Sequence, residues 1–204
     1  MFSESNSKGM SKNNAASNIK VVGIGGFGGR IVERLLSMEI TGLEFVVINT
    51  DRYALRMASC PDKIPLGPNG IGEVSVQFAG QSAEDSRETI KKALLGSRVV
   101  FLIAGMGGST GAGAIPAVAA IAKEMGIPTV SVVTMPFDCE GKRKIRSASQ
   151  AVENLRNVTD RLVIAPCSVY DANGEIFTIP AAFEATDIAV CHQVQSLVTL
   201  ERIN

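Results

Sequence analysis

Apolar residues follow two rhythms along this chain. Largely apolar runs stand at residues 19–25 (IKVVGIG), 43–51 (LEFVVINTD), 98–105 (RVVFLIAG), 127–137 (IPTVSVVTMPF) and 160–166 (DRLVIAP), with a shorter candidate at 62–67 (DKIPLG). Between them, apolar positions recur every three or four residues, as in GRIVERLLSM, where Ile31, Val32, Leu35, Leu36 and Met38 fall on one side of a helix. Further helices are expected at RYALRMAS, at SAEDSRETIKKALLGS, at TGAGAIPAVAAIAKEMG ending on Gly126, at RKIRSASQAVENLRNVT, and over the long final stretch IPAAFEATDIAVCHQVQSLVTLERI. Ser82, with Asp85 three residues later, reads as the N-cap of the third of these, which leaves PNGIGEVSVQFAGQ as a glycine-bearing loop. Pro116 is expected near the first turns of its helix, where a missing N–H costs little.

Strands that are apolar throughout are buried on both faces. Alternating with helices, they predict an α/β fold: a Rossmann-like parallel sheet with helices on both faces. The α/β domain is expected over residues 19–180, with residues 181–204 forming a long core helix. Residues 1–18, MFSESNSKGMSKNNAASN, are polar and lack the apolar centre of a signal peptide, so they read as a disordered tail or an added leader.

Composition narrows the function. Lys plus Arg and Asp plus Glu number 20 each, which gives no net-charge case for nucleic acid or an anionic membrane. The one basic cluster, KRKIR at Lys142 to Arg146, reads as a solvated helix start or as a phosphate or partner contact. Four scattered cysteines and a single histidine, His192, argue against a zinc site and for reduced thiols in the cytoplasm; His192 reads as a packing or surface residue. No apolar run is long enough to span a bilayer.

Ligands of parallel sheets sit at the carboxyl ends of the strands, and two of those loops are rich in glycine. The first, GIGGFG at Gly23 to Gly28, fits G-x-G-x-x-G after a strand and before a helix, with Asp51 about 20 residues on, as in dinucleotide-binding folds. Its glycines serve close approach of backbone to a pyrophosphate, or close packing of helix on strand. The second, GMGGSTGAG at Gly105 to Gly113, follows RVVFLIA. Successive N–H groups from Gly107 to Gly111 can form an anion-binding nest, with Ser109 and Thr110 adding hydroxyls and the next helix aiming its N-terminus at the same point. No G-K-[ST] occurs, so phosphate charge must be met by backbone, hydroxyls and a metal ion rather than by a lysine.

GGSTGAG resembles the GGGTGTG/GGGTGSG signature of the FtsZ/tubulin family of GTPases, and IKVVGIGGFGG, FVVINTD, AEDSRETIKKAL and VSVVTMPF extend the resemblance from Ile19 to about Leu200. It is closer to bacterial or archaeal FtsZ than to tubulin. The resemblance implies GTP or GDP as ligand, with Mg2+ bound through the phosphates. It implies that Gly25, Gly26, Gly28 and Gly29 line the phosphates, that Asn49, Thr50 and Asp51 edge the pocket, and that Gly107, Gly108, Ser109, Thr110, Gly111, Ala112 and Gly113 cradle the triphosphate. Gly72 belongs to the third loop of the site. Glu140 corresponds to the ribose-holding residue and Lys144 to the arginine that follows it. Phe183 would stack on guanine, and Asp187, one helical turn later, would accept from its N1–H and 2-amino group.

The sequence departs from that pattern at several points. Arg30 stands where the first loop usually ends in Asn, and is expected to pair with a phosphate or point to solvent. Glu73 would repel phosphate unless it turns away or holds a metal, and Cys167 replaces an Asn that reads guanine. The family's long helix leads to an N-x-D-x-x-D loop and a second domain. That loop enters the next subunit's site in a head-to-tail filament and completes hydrolysis there. The chain stops at LERIN, about where the loop would begin, so nucleotide binding with little turnover is expected. Two alternatives stand beside this reading: a non-catalytic regulator or scaffold of the same fold, and an NAD-binding domain based on GIGGFG and Asp51.

Overall fold

The computed structural model describes residues 18–67, 74–165, 167 and 176–203. Six strands form one parallel sheet: β1 (Ile19–Ile24), β2 (Leu43–Asn49), β3 (Asp62–Pro65), β4 (Val99–Gly105), β5 (Thr129–Thr134) and β6 (Arg161–Ala165), in the order β3-β2-β1-β4-β5-β6. The helices are α1 (Gly25–Ser37), α2 (Arg52–Met57), α3 (Val76–Asp85), α4 (Arg87–Leu94), α5 (Ser109–Glu124), α6 (Lys142–Arg156) and α7 (Ile179–Ile203).

Side chains alternate across a strand, and here both faces are covered. Val22, Ile24, Val46, Ile48, Leu102 and Ala104 pack with α3 to α6 through residues such as Ala83, Ile90, Ile115, Val118 and Val152. Val21, Val47, Phe101 and Ile103 pack on the opposite face with Ile31, Val32 and Leu35 of α1 and with Val190, Val194 and Leu197 of α7. That double burial is why these strands are mostly apolar; in β5 the buried Thr129 and Ser131 are polar and hydrogen-bond to Asp160 and Thr159. The edge strand β6 is the exception, with Ile164 exposed.

Strand order reverses direction between β1 and β4, which pair side by side with Ile24 opposite Ala104. The loops leaving these two strands therefore emerge together, at the topological switch point where open α/β sheets bind ligands.

Two local expectations are corrected. The helix assigned to begin at Ser82 begins at Val76, capped by Ser75, whose side chain accepts from the Phe78 N–H. Ser82 is buried inside that helix, so the loop expected up to Gln81 is helical over its second half. The glycine within it serves packing and not a turn: Gly80 lies against Gly113 of α5, where a β-carbon would come 3.1 Å from the Gly113 carbonyl oxygen. Pro116 is not in the first turn of its helix; α5 begins at Ser109, so the proline lies two turns in and removes an intrahelical hydrogen bond.

Candidate functional site

The first residues of α1 and α5 build the site. Gly25 turns the chain out of β1 with a φ of +73°, and a β-carbon there would come 3.1 Å from the Gly111 nitrogen. Both helix N-termini lack a side-chain cap and an acidic residue in the first turn. Their leading N–H groups are left to whatever occupies the space in front of them. Thr50, at the end of β2, shares a 2.6 Å hydrogen bond with the Thr110 hydroxyl and so fixes the start of α5 against the sheet.

In front of these termini lies a cavity of about 310 Å3. Its wall includes Gly25, Gly26, Gly107, Gly108, Ser109, Thr110 and Gly111 from the two helix starts, together with Arg30, Phe137, Glu140, Lys144, Cys167 and Phe183. It shares Gly26, Gly107 to Thr110 and Lys144 with an open cleft of about 900 Å3 that adds Asn49, Thr50, Asp51 and Arg143. The basic cluster is thus both a helix start and part of the cleft.

Two glycines stand out on that wall. A β-carbon on Gly26 or Gly108 would meet no atom within 4 Å, so neither is a glycine for reasons of packing. Gly23 and Gly28 are the opposite case. A β-carbon on Gly23 would fall 2.3 Å from the Gly28 carbonyl oxygen, and one on Gly28 would fall 2.3 Å from that of Ile103. The G-x-G-x-x-G pattern therefore divides: its outer glycines let α1 lie on the sheet, while Gly25 and Gly26 face the cavity.

Several residues expected in the site lie off its walls. Gly28 and Gly29 face β4 and β2. Ala112 and Gly113 lie on the far side of α5, against α3, where a β-carbon on Gly113 would come 2.1 Å from the Val76 carbonyl oxygen. Gly72 and Glu73 lie outside the described residues. Asp51 caps α2 by accepting from the Tyr53 and Ala54 N–H groups.

At the far end, Phe183 meets Phe137 edge to face, with ring centroids 5.1 Å apart. Phe183 is not a core residue: it keeps an exposed flank on the cavity. Glu140 accepts from the Phe137 N–H at 2.9 Å and from Lys144 Nζ at 3.0 Å. Burial pushes the Cys167 thiol above its ordinary pKa, while the hydroxyls of Thr186 and Thr134 hydrogen-bond to it. Arg30, its side chain 45% exposed, is paired with a buried carboxylate of α7. Its Nε and Nη2 donate to Asp187 at 2.6 and 2.9 Å, and Arg34 Nε lies 3.3 Å from the same carboxylate.

Phe137 and Arg34 are two further residues of the site that no motif in the sequence singles out. Each had a signal: Phe137 follows the carboxyl end of β5, and Arg34 lies one helical turn beyond Arg30.

The model of the Tubulin/FtsZ family, GTPase domain, matches residues 18–168, which takes in both glycine loops and every strand. The chain belongs to the tubulin/FtsZ family. Among curated relatives it is 48% identical over 158 residues to the cell division protein FtsZ of Buchnera aphidicola subsp. Schizaphis graminum, covering 76% of this chain and 41% of that one. The FtsZ of Coxiella burnetii is 40% identical over 187 residues, covering 89% and 48%. An FtsZ dimer of M. jannaschii superposes with a TM-score of 0.84 at 36% identity, over 89% of this chain and 54% of that one. CetZ2 from Haloferax volcanii, solved as a GTPγS-bound protofilament, has a TM-score of 0.76 at 20% identity, over 91% and 59%, a likeness of fold alone. The chain spans about half the length of the FtsZ relatives it matches. The tubulin/FtsZ assignment accounts for the strand order and for two glycine-rich turns at one switch point. No helix among the described residues is long and apolar enough to cross a membrane.

Proposed function

We propose that this chain is the guanine-nucleotide-binding half of an FtsZ-like GTPase, holding GTP or GDP in the cavity before α1 and α5. One observation carries the reading: two uncapped helix N-termini converge on a space that the missing side chains of Gly26 and Gly108 leave open. Helix N-termini attract phosphate through free N–H groups and a positive dipole end. The hydroxyls of Ser109 and Thr110 add donors on the same wall.

Each element then has a task. The backbone of Gly25, Gly26 and Gly107 to Gly111 binds phosphate oxygens. Glu140, oriented by the Phe137 N–H and Lys144, takes the ribose. Phe183 offers a ring face to the base. Asn49 and Asp51 edge the cleft, and Asp187 serves the base end. Gly28, Gly29, Ala112 and Gly113 act behind the wall by letting the two helices approach the sheet and α3. Mg2+ enters only through the phosphates.

Hydrolysis draws on a carboxylate-bearing loop of a neighbouring subunit in a head-to-tail filament in the cytoplasm. The carboxylates on the cavity and cleft among the described residues support this, because Asp51 is engaged as a cap and Glu140 with Lys144. The same engagement favours a second reading, a nucleotide-binding regulator or scaffold that does not turn over.

The test is to denature the purified protein and identify the released nucleotide by chromatography, then to measure GTP binding by Thr110→Arg. GDP or GTP is expected, with binding lost in a folded variant. Release of NAD, or GTP affinity within about threefold of the parent, under roughly 1 kcal/mol, would overturn the reading.

A further inference from the structure

The base end of the cavity presents a guanidinium where a carboxylate was expected. Asp187 is buried, its side chain only 2% exposed, and it forms no part of the cavity wall; Arg30 does. A carboxylate offers about four lone-pair sites. Arg30 takes one on each oxygen, and Arg34 approaches one of those oxygens from the same side of α7. To accept from N1–H and the 2-amino group of a guanine, Asp187 needs both oxygens turned to the cavity, and Arg30 stands there instead.

Arg30 is held for a purpose of its own. Phe27 lies beneath its guanidinium, 5.4 Å from ring centroid to Cζ. Asp187 fixes its edge in a forked, charge-assisted pair. Of the five N–H donors of an arginine, two are engaged with Asp187, and the others remain for the cavity. Donors recognise acceptors. A 6-oxo purine carries O6 and N7 on one edge, the pair that arginine reads in guanine elsewhere. A 6-amino purine turns a donor toward the same place.

We propose that Arg30 is the base-selecting residue of this chain, reading the 6-oxo edge of a purine, and that Asp187 positions Arg30 instead of reading the 2-amino group. This rests on nucleotide binding at the cavity as proposed above. It makes the site selective for 6-oxo purines as a class, with little regard for the substituent at C2.

The unmodified chain tests this directly. Dissociation constants are measured for GTP, ITP, which lacks the 2-amino group, and 2-aminopurine riboside triphosphate, which keeps it but lacks the 6-oxo group. ITP is expected within about threefold of GTP, and the 2-aminopurine nucleotide at least thirtyfold weaker. In Arg30→Asn, which frees Asp187 toward the cavity, the preference for GTP over ITP is expected to rise to tenfold or more. ITP binding tenfold weaker than GTP in the parent chain overturns the proposal, as does an unchanged ratio in folded Arg30→Asn. Failure of all three nucleotides to bind the parent chain overturns the nucleotide reading beneath it, a different result from a wrong order among them.

Discussion

Gly28 of α1 and Ile103 of β4 are in backbone contact: a β-carbon on Gly28 would stand 2.3 Å from the Ile103 carbonyl oxygen. Two residues earlier on the same helix, Gly26 faces open space. One loop therefore holds glycines of two kinds, and alanine separates them. Gly28→Ala forces the helix off the sheet and is expected to leave little folded protein. Gly26→Ala and Gly108→Ala are expected to melt within about 2 °C of the parent, or about 0.5–1 kcal/mol at most for a chain of this size. Each should still weaken GTP binding tenfold or more. Thermal melts paired with titrations decide it, and full affinity in Gly26→Ala would remove that glycine from the binding surface.

Thr50 and Thr110 join β2 to the start of α5 through a single short hydrogen bond. Thr50→Val keeps the shape but leaves the Thr110 hydroxyl without that partner in a half-buried place. A loss of about 1–2 kcal/mol in urea unfolding is expected. Looser placement of the α5 N-terminus should also raise the dissociation constant for GTP. An unchanged unfolding midpoint would show that the bond holds nothing in place.

Asp187 compensates two arginines at once. Breaking a buried pair by removing one partner costs about 3–5 kcal/mol, but Arg30 and Arg34 are 45% and 38% exposed and can turn to water. Asp187→Ala is therefore expected to cost less, about 1–2 kcal/mol, or roughly 2–8 °C in melting temperature. A drop beyond 15 °C would mean that the arginines cannot escape, and that Asp187 holds α7 on α1 more firmly than this geometry implies.

The thiols differ in surroundings. Cys139 is exposed, whereas Cys60 and Cys191 are buried and Cys167 is partly covered. Burial raises the pKa of Cys60, Cys167 and Cys191, the last to about 11. Iodoacetamide at pH 7.5 is expected to modify Cys139 first. Cys167 should follow slowly and be protected by nucleotide, as read by peptide mass spectrometry. Equal rates at Cys167 with and without GTP would place the ligand elsewhere.

The buried Cys191 also sets an alkaline limit. Its folded pKa lies above the ordinary value of 9.0, so the fold favours the neutral thiol. Stability is full below pH 9 and is lost as pH rises toward 11, where the unfolded chain ionises first. Cys191→Ala should flatten that fall between pH 9 and 11 in urea unfolding, even as it lowers stability at pH 7 by leaving a small cavity. An equally steep fall in the variant would assign the alkaline loss to other groups.

Much of the fold was legible from residue pattern alone, because a strand buried on both faces takes mostly apolar side chains, and the polar ones it holds, such as Thr129 and Ser131, must find hydrogen-bond partners inside. Val21 and Val22, or Ile103 and Ala104, go to opposite cores, so neighbours in the strand are both apolar. The start of α3 was not legible, because the packing of Gly80 against Gly113 overrides the local helix preference that glycine normally weakens. The two glycine-rich loops could be found because both follow strands that end at the switch point.

By itself, the sequence determined the parallel sheet, the positions of its glycine-rich turns and the family to which the chain belongs. Only the tertiary structure decided which glycines face the cavity and which face backbone. Only there did Arg30 and Asp187, 157 residues apart, meet as a pair. The reason is physical. Apolar periodicity and turn chemistry act between neighbours in the chain. The use of a side chain at a site depends on partners that only folding brings within hydrogen-bond distance.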